Sequence, residues 1–202
     1  MKKSILAAIV VALGMTHSQA QQTTFLENIA LEAGYGYSLP FISEDGQKGA
    51  DYAGINSLHL AAHYSINNLW GVRGSYGYNS FSHKDYSDYK LNLHKLVAEA
   101  TFNITEAMNP SLTHTADFNV YAHAGAGLAM GISDQYEGND HMGVLQIGLQ
   151  PMYRFVDNWS VFIDASYQQL IKQNFNYAGF SSAENSSGFL NIHIGVNYRF
   201  DN

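Results

Sequence analysis

Residues 28–39 have the sequence NIALEAGYGYSL, in which two kinds of side chain alternate. The odd-numbered positions carry only apolar or aromatic side chains, from Ile29 to Leu39. The even-numbered positions carry polar or small side chains, among them Glu32 and Ser38. Because successive side chains of a β-strand point to opposite faces, this alternation predicts a strand with one apolar face and one polar face.

The same alternation recurs in seven further segments, 55–66, 70–78, 94–104, 118–132, 143–155, 159–170 and 188–200. Strands of about 11 residues are twice the ordinary mean but suit a tilted strand that crosses a bilayer. The apolar faces hold no formal charge, whereas the polar faces hold both signs. A soluble β-sandwich also alternates, but charges of both signs do not suit its packed core.

A barrel in lipid places its apolar face outside and its polar face inside, and closure leaves no unpaired strand edge. The pattern therefore predicts an all-β fold, an eight-stranded antiparallel up-and-down transmembrane β-barrel. Pro151 lies within one predicted strand and cannot donate to a ladder, so we expect a bulge there.

The connections between the predicted strands differ in length in the way that this fold requires. The long ones are 40–54, 79–93, 133–142 and 171–187. The short ones are 67–69 and 156–158, and 105–117 is intermediate. Short turns on one side and long loops on the other are typical of outer-membrane barrels, in which the short turns and both termini face the periplasm.

The N-terminus has two lysines, then the apolar residues 5–15, and then a small-residue site that ends at Ala20. This order predicts a secretory signal peptide over residues 1–20 and leaves 21–202 as the barrel domain. The chain has no cysteine, which excludes a thiolate nucleophile or a cysteine-ligated zinc site. Its formal net charge of -7 argues against a nucleic-acid partner.

The inward faces carry ionisable side chains of both signs, which predicts a polar network that fills the lumen. They are Glu32, His59, His63, Arg73, Lys95, Glu99, His123, Arg154, Asp164, His193 and Arg199. The histidines could bind a metal or act as acids and bases. They lack a recognisable ligand spacing, so we expect hydrogen-bonded filler and predict neither metal nor cofactor.

The short turns also predict which residues face each other in the lumen. Across 67–69, His63 should lie opposite Arg73. Across 156–158, Arg154 should lie opposite Ser160 and Gln150 opposite Asp164. Lys95 and Glu99 lie two inward positions apart on one strand.

The end of the chain carries the sharpest motif, a polar residue and a glycine followed by an aromatic pair: His193, Gly195, Tyr198 and Phe200. With the eight predicted strands, the chain resembles the OmpA-type eight-stranded barrels of Gram-negative outer membranes over residues 21–202. The resemblance implies an integral outer-membrane protein in contact with lipid and lipopolysaccharide. It also implies that these four residues are the signal for the outer-membrane insertion machinery.

The chain departs from that family in two ways. Asp201 and Asn202 follow the aromatic pair. The peptidoglycan-binding domain of two-domain members does not follow the barrel, so we expect no tethering role.

Two classes of function remain open, and an enzyme is the less favoured third. The first is a structural or surface role: envelope integrity and loop-mediated contact or adhesion. The candidate contact residues are Phe41, Tyr52, Phe175, Tyr177 and Phe180, for which packing within the loops is the alternative. The second class is a narrow porin-like channel for small solutes, gated by an ion pair such as Lys95–Glu99. Bulky inward residues such as Tyr121 and Phe162 favour the first class.

Some barrels that resemble this one modify lipid, and certain of them use histidine with serine and an acid on the outer face. His94 is the one outward histidine in the predicted strands, and it lacks a clear serine and acid companion. We therefore predict no enzymatic activity and no catalytic residue.

Overall fold

The computed structural model of the chain describes residues 26–41, 48–86, 88–108, 117–135, 137–181 and 186–200. The predicted signal peptide, residues 1–20, lies outside these residues, as do Asp201 and Asn202. Within the described part of the chain, no helix is long and apolar enough to cross a membrane.

Eight strands form one closed barrel, in which each strand pairs antiparallel with the next and the last pairs with the first. They are β1 (Ile29–Phe41), β2 (Gly54–Ser65), β3 (Trp70–Ser82), β4 (Lys90–Asn103), β5 (Phe118–Ser133), β6 (Asn139–Val156), β7 (Trp159–Ile171) and β8 (Ser186–Arg199). A short helix, α1 (Ile104–Met108), follows β4, and a 3-10 turn, Gly49–Asp51, precedes β2. The predicted fold class is confirmed.

The barrel has two different ends. We call the end at which β2 leads to β3, β4 to β5 and β6 to β7 the turn end, and the end at which β1 leads to β2, β3 to β4, β5 to β6 and β7 to β8 the loop end. In outer-membrane barrels short turns face the periplasm and long loops face outward.

The outer wall is apolar, as a lipid-facing surface must be. Large side chains on the outward positions are among the most exposed in the molecule, including Leu96 at 65%, Leu128 at 75% and Ile194 at 68%. Inward neighbours on the same strands, such as Lys95, Ala129 and His193, are buried. The strand alternation therefore separates a lipid-facing face from a filled lumen, as predicted.

The predicted register is confirmed across both short turns. His63 pairs with Arg73, and Arg154 pairs with Ser160. A two-residue-period pattern fixes which face each side chain takes, and a short turn leaves little freedom in how the two strands align.

Pro151 does not cause the predicted bulge. The register of β6 against β7 is the same before Gln150 and after Pro151, so no residue is inserted. These two residues are missing from the ladder to β7, because proline has no N–H to donate. In this register Gln150 lies opposite Asp164, as predicted, although the two residues do not pair in the ladder. The shift in register lies nearer the turn end, between Arg154 and Val156.

Several strands continue further toward the loop end than the sequence pattern predicts. The expected 70–78 and 94–104 become Trp70–Ser82 and Lys90–Asn103. In these extensions the alternation is inverted, since Leu91 and Leu93 point inward and are fully buried. Outside the bilayer the barrel wall faces water, so apolar side chains turn to the interior as in a soluble protein.

The extensions and loops build an apolar cluster that fills the loop end of the lumen, which we call the loop-end cluster. Its buried members are Tyr52, Phe81, Leu91, Leu93, Val97, Ala129, Met142, Val144, Leu170, Tyr177, Ala178 and Phe189. The ring centroids of Phe81 and Phe189 are 5.3 Å apart, and those of Phe81 and Tyr177 are 4.7 Å apart. The cluster therefore combines strand and loop residues in one packed core.

Candidate functional site

Arg73 is the centre of the polar network in the middle of the lumen. Its guanidinium lies 2.8 Å from Glu99, 3.4 Å from Glu32 and 3.6 Å from Asp164. It also donates to Gln150 Oε1 at 3.2 Å. A charge buried this deeply, at 2% exposure, is tolerated only when it is paired and hydrogen-bonded.

His123 joins two of these carboxylates. Its Nδ1 lies 2.7 Å from Glu99 Oε2, and its Nε2 lies 3.0 Å from Asp164 Oδ2. Carboxylate oxygens accept and do not donate, so His123 Nδ1 donates to Glu99, whereas the contact of Nε2 with Asp164 is close but does not have the geometry of a hydrogen bond. Glu99 also accepts from Ser75 Oγ at 2.9 Å and from Gln146 Nε2 at 3.0 Å.

The histidines toward β1 and β8 complete this network. His59 Nε2 lies 3.6 Å from Glu32, and the rings of His59 and His193 stack with centroids 5.4 Å apart. His193 Nδ1 is 4.0 Å from Asp164, and its Nε2 is 2.7 Å from Ser57 Oγ. Among the described residues, no group of three or more His, Asp or Glu could hold a metal ion.

Lys95 does not hold the position that the gating hypothesis requires. Its ammonium donates to Gln168 Oε1 and lies 4.8 Å from the centroid of the Phe189 ring. Glu99 faces Arg73 and His123 instead. Lys95 therefore lies where the polar network meets the loop-end cluster, and the predicted Lys95–Glu99 pair is wrong.

Three predicted network residues make their side-chain contacts toward the turn end and not with the Arg73 guanidinium, although His63 pairs with Arg73 in the β2–β3 ladder. His63 Nε2 is 2.8 Å from Thr101 Oγ1. Arg154 lies 3.5 Å from Asp117 with 40% of its side chain exposed, and Arg199 is half-buried. Arg154 and Arg199 are thus rim residues rather than members of the central network, because the strands end there and the lumen meets water.

The predicted loop contact residues divide into buried and accessible ones. Tyr52 and Tyr177 are 3% and 2% exposed, so their prediction as contact residues is wrong. Phe175 and Phe180 are half-buried against the loop-end cluster. Phe41 is exposed at the end of β1, 6.0 Å from the Tyr167 ring. Packing within the loops is what the structure shows for the two tyrosines.

Tyr177 illustrates why a loop aromatic can be structural. Its hydroxyl donates to Gly188 O at 3.1 Å and accepts from Ser187 Oγ at 2.8 Å. Burial raises the pKa of the Tyr177 hydroxyl, which stays neutral and able to donate. Its ring packs into the loop-end cluster, so the residue fixes the β7–β8 loop to the barrel.

A second anchor of that loop is the buried carboxylate of Asp140. It accepts from Asn174 N at 2.6 Å, from Asn174 Nδ2 at 2.7 Å and from Phe175 N at 3.0 Å. Ser133 Oγ also donates to Gly179 O at 2.6 Å. Gly179 has φ +83, a conformation that favours glycine. The described part of the loop, residues 172–181, is therefore held to the barrel by specific contacts.

Of the accessible aromatic side chains that meet at the loop end, the sequence pattern predicts only Phe180 and not its three neighbours. His83 and Tyr86 have ring centroids 5.0 Å apart, Tyr86 and Tyr89 are 5.5 Å apart, and Tyr89 and Phe180 are 5.1 Å apart. Tyr86 is 60% exposed. We call His83, Tyr86, Tyr89 and Phe180 the outer aromatic surface. The signal for these three neighbours is the segment 83–89, which contains His83, Tyr86 and Tyr89 and lies within the predicted loop 79–93.

Three residues of the predicted insertion signal lie on the two faces of β8, and the fourth, Phe200, directly follows it. His193 and Gly195 point into the lumen, whereas Tyr198 and Phe200 form an aromatic pair with centroids 5.0 Å apart. A Cβ on Gly195 would collide with the Phe162 ring, so this glycine makes room for a buried aromatic side chain. The role of the four residues as a signal stays a prediction.

Residues 6–200 match the model of a protein family described as the outer membrane protein beta-barrel domain. A comparison of the sequence with curated proteins finds no match.

Several solved structures have a similar fold. Neisserial surface protein A has a TM-score of 0.59 and 14% identity, with 86% of this chain and 97% of that one covered. Ail, the attachment invasion locus protein of Yersinia pestis, has a TM-score of 0.50 and 22% identity, and the match covers 86% of this chain and 99% of Ail. OprG from Pseudomonas aeruginosa has a TM-score of 0.51 and 11% identity, and the match covers 88% of this chain and 98% of OprG. Identities this low show a shared fold alone.

Proposed function

The chain belongs to the outer membrane protein β-barrel domain family, and from that premise we propose that it acts at its outer surface rather than through its lumen. Its role is structural and surface-exposed: it stabilises the envelope and makes contacts through the loop end. Outer-membrane lipid and lipopolysaccharide are the proposed partners of its wall.

The loop-end cluster is the observation that carries this proposal. Its twelve buried apolar and aromatic residues fill the lumen at the loop end. An ion or polar solute would have to leave water to cross this layer, at a cost of several kcal/mol. Beneath the cluster, Arg73 is engaged by three carboxylates. Both features disfavour the channel alternative.

The outer aromatic surface supports the contact role. Exposed aromatic side chains grouped on a fixed support are typical of interaction sites, because they contribute large contact areas at low entropic cost. Tyr86 projects into solvent, while Tyr89 and Phe180 rest on the loop-end cluster. The surface is therefore available to a partner without a large rearrangement.

An enzymatic role on the lipid face has little support. His94 Nδ1 is 2.8 Å from the Tyr76 hydroxyl, and the His94 ring lies 5.0 Å from the Tyr78 ring. The companions of His94 among the described residues are thus tyrosines rather than a serine and an acid. We propose a non-catalytic protein.

Planar-bilayer conductance tests the proposal against the channel alternative. The chain is refolded, its insertion is verified, and current is recorded across a series of salt concentrations. We expect no discrete current steps. Reproducible steps that scale with salt would contradict the closed lumen and favour the narrow channel.

The contact role needs a separate test in cells that express the protein. The variant Tyr86→Ala should reduce attachment of the cells to surfaces while leaving their resistance to detergent unchanged. Tyr153→Ala is the matched control, because Tyr153 is 50% exposed but lies toward the turn end. Equal attachment by the wild type and both variants would remove the outer aromatic surface from the proposal.

A further inference from the structure

The turn end of the lumen contains a polar cavity of about 220 Å³ that the proposed surface role does not use. Its rim is formed by residues of the 66–69 and 157–158 turns. His63, with Thr101 at 2.8 Å, lies on the side toward the central network. The cavity is therefore open at one end and closed at the other.

Glu106 lies in the wall of this cavity and is 7% exposed. Its Oε2 atom has no hydrogen-bond partner among the described residues. The backbone around Glu106 is held by two hydrogen bonds: Glu106 N donates to Asn103 Oδ1 at 3.1 Å, and Val120 N donates to Thr105 Oγ1 at 2.9 Å. A buried carboxylate oxygen without a partner is costly, which suggests that a ligand supplies one.

Arg199 reaches the same cavity from the opposite wall, since it ends β8 whereas Glu106 follows β4. Among the described residues no carboxylate pairs with its guanidinium, in contrast to Arg154, which pairs with Asp117 at 3.5 Å. Tyr121 lines the same cavity and contacts the Arg199 side chain. Besides the Arg154–Asp117 pair and the exposed Asp157, the cavity thus holds one cation and one buried anion, Arg199 and Glu106, for which the described residues supply no ion-pair partner.

We propose that this cavity binds a small zwitterion, an amino acid or a dipeptide, with its ammonium at Glu106 and its carboxylate at Arg199. A guanidinium binds a carboxylate through two parallel hydrogen bonds, and a carboxylate accepts from an ammonium. A simple anion would leave Glu106 unpaired, and a simple cation would leave Arg199 unpaired. The volume is below the range of about 300–1,000 Å³ for drug-sized ligands, which limits the ligand to a few heavy atoms beyond its two charges.

Calorimetric titration of the chain in phospholipid nanodiscs tests this site. The probes are L-alanine, N-acetyl-L-alanine, L-alaninamide and L-alanyl-L-alanine. N-acetyl-L-alanine lacks the ammonium and L-alaninamide lacks the carboxylate, and we call these two the blocked compounds. We expect alanine or alanyl-alanine to bind about tenfold more tightly than either of them, since each block removes one charge-assisted hydrogen bond. The stronger of the two unblocked probes identifies whether the natural ligand is of amino-acid or dipeptide size.

Two variants assign the two charges. Glu106→Gln should lose the preference over the acetylated compound and keep the preference over the amide, and Arg199→Gln should do the reverse. Arg154→Gln is the control, because Arg154 already has a partner at the rim, and it should leave all affinities unchanged. If a variant does not fold, the blocked compounds on the unaltered chain still decide the matter.

Three results would overturn the proposal. They are an absence of binding at millimolar concentration, equal binding of blocked and unblocked compounds, and variants that fold but do not change the preference. Because the cavity and the outer aromatic surface lie at opposite ends of the barrel, failure here leaves the surface role untouched.

Discussion

The two ends of the lumen are built on opposite principles. At the loop end, Phe81, Leu93 and Phe189 are fully buried in a packed apolar core. At the turn end, polar side chains such as Asn119 and Arg199 line an open cavity. The same inward positions of the same strands thus change from polar to apolar along the barrel axis. Whether the lumen is open or blocked is therefore decided separately at each level, by the side chains that fill that level.

Between the two ends lies the Arg73 network, and its loss should have the largest effect on stability. Arg73→Met keeps most of the side-chain volume but leaves Glu32, Glu99 and Asp164 without their shared cation. Removing one partner of a buried ion pair costs about 3–5 kcal/mol. We expect a loss of at least this size in the free energy of unfolding, measured by urea titration of the barrel in vesicles with tryptophan fluorescence.

The matched control for that variant is Arg154→Met. The Arg154 side chain is 40% exposed and pairs with Asp117, which is 59% exposed. Exposed pairs contribute about 0–1 kcal/mol. Similar losses for the two arginine variants would contradict the distinction between network and rim.

Truncation in the loop-end cluster should have the next largest effect. Phe189→Ala removes a ring that packs against Phe81 and lies under the Lys95 ammonium. We expect a loss of about 3 kcal/mol and the appearance of current steps in a planar bilayer. The control Phe155→Ala truncates a 52% exposed ring at the turn end and should stay silent. A silent Phe189→Ala barrel would show that the cluster alone does not close the lumen.

The β7–β8 loop should be weakened by a change at its anchor. Asp140→Ala removes three hydrogen bonds from Asn174 and Phe175. We expect a loss of about 1–3 kcal/mol, expressed as faster proteolysis within residues 172–185 of the folded barrel. Asp134→Ala, at an exposed position, should leave the cleavage rate unchanged. Unchanged cleavage in the Asp140 variant would mean that the apolar contacts hold the loop without this anchor.

The smallest effect belongs to the exposed pair Lys84–Asp51. The Lys84 ammonium, 2.7 Å away, lowers the pKa of the Asp51 carboxyl. A carboxyl whose pKa is lowered by folding stabilises the native state at neutral pH, and this contribution disappears as the pH falls through the lowered pKa. Asp51→Asn should therefore lower the urea midpoint slightly at pH 7 and not at acidic pH. A difference that grows in acid would contradict this sign.

The sequence predicted the membrane-spanning part of the barrel well, for a physical reason. Because lipid surrounds the barrel and polar side chains fill it, apolar and polar residues must alternate strictly along each strand. The short turns then fix how neighbouring strands align. The pairing of His63 with Arg73 follows from those two constraints. Where the outer solvent changes from lipid to water, the alternation inverts, so Leu91 and Leu93 were assigned to a loop rather than to β4.

Side-chain partners within the lumen were less predictable than faces. Spacing along one strand suggested a pair between Lys95 and Glu99, but contacts across the lumen determine the outcome. The Glu99 carboxylate contacts Arg73 and His123 on the two neighbouring strands, and Lys95 donates to Gln168. Which side chains face each other across the lumen depends on the register of all eight strand pairs around the barrel. No single segment of the sequence determines that register.

The absence of cysteine from the sequence allows the most direct test of the contrast between the two ends. Single-cysteine variants Ser65→Cys, in the turn-end cavity, and Val144→Cys, in the loop-end cluster, are inserted in vesicles and treated with a water-soluble thiol reagent. Rapid labelling of the first and protection of the second, until the barrel is unfolded, is the result that we predict. Equal labelling of both in the folded barrel would contradict a lumen that is open at the turn end and closed at the loop end.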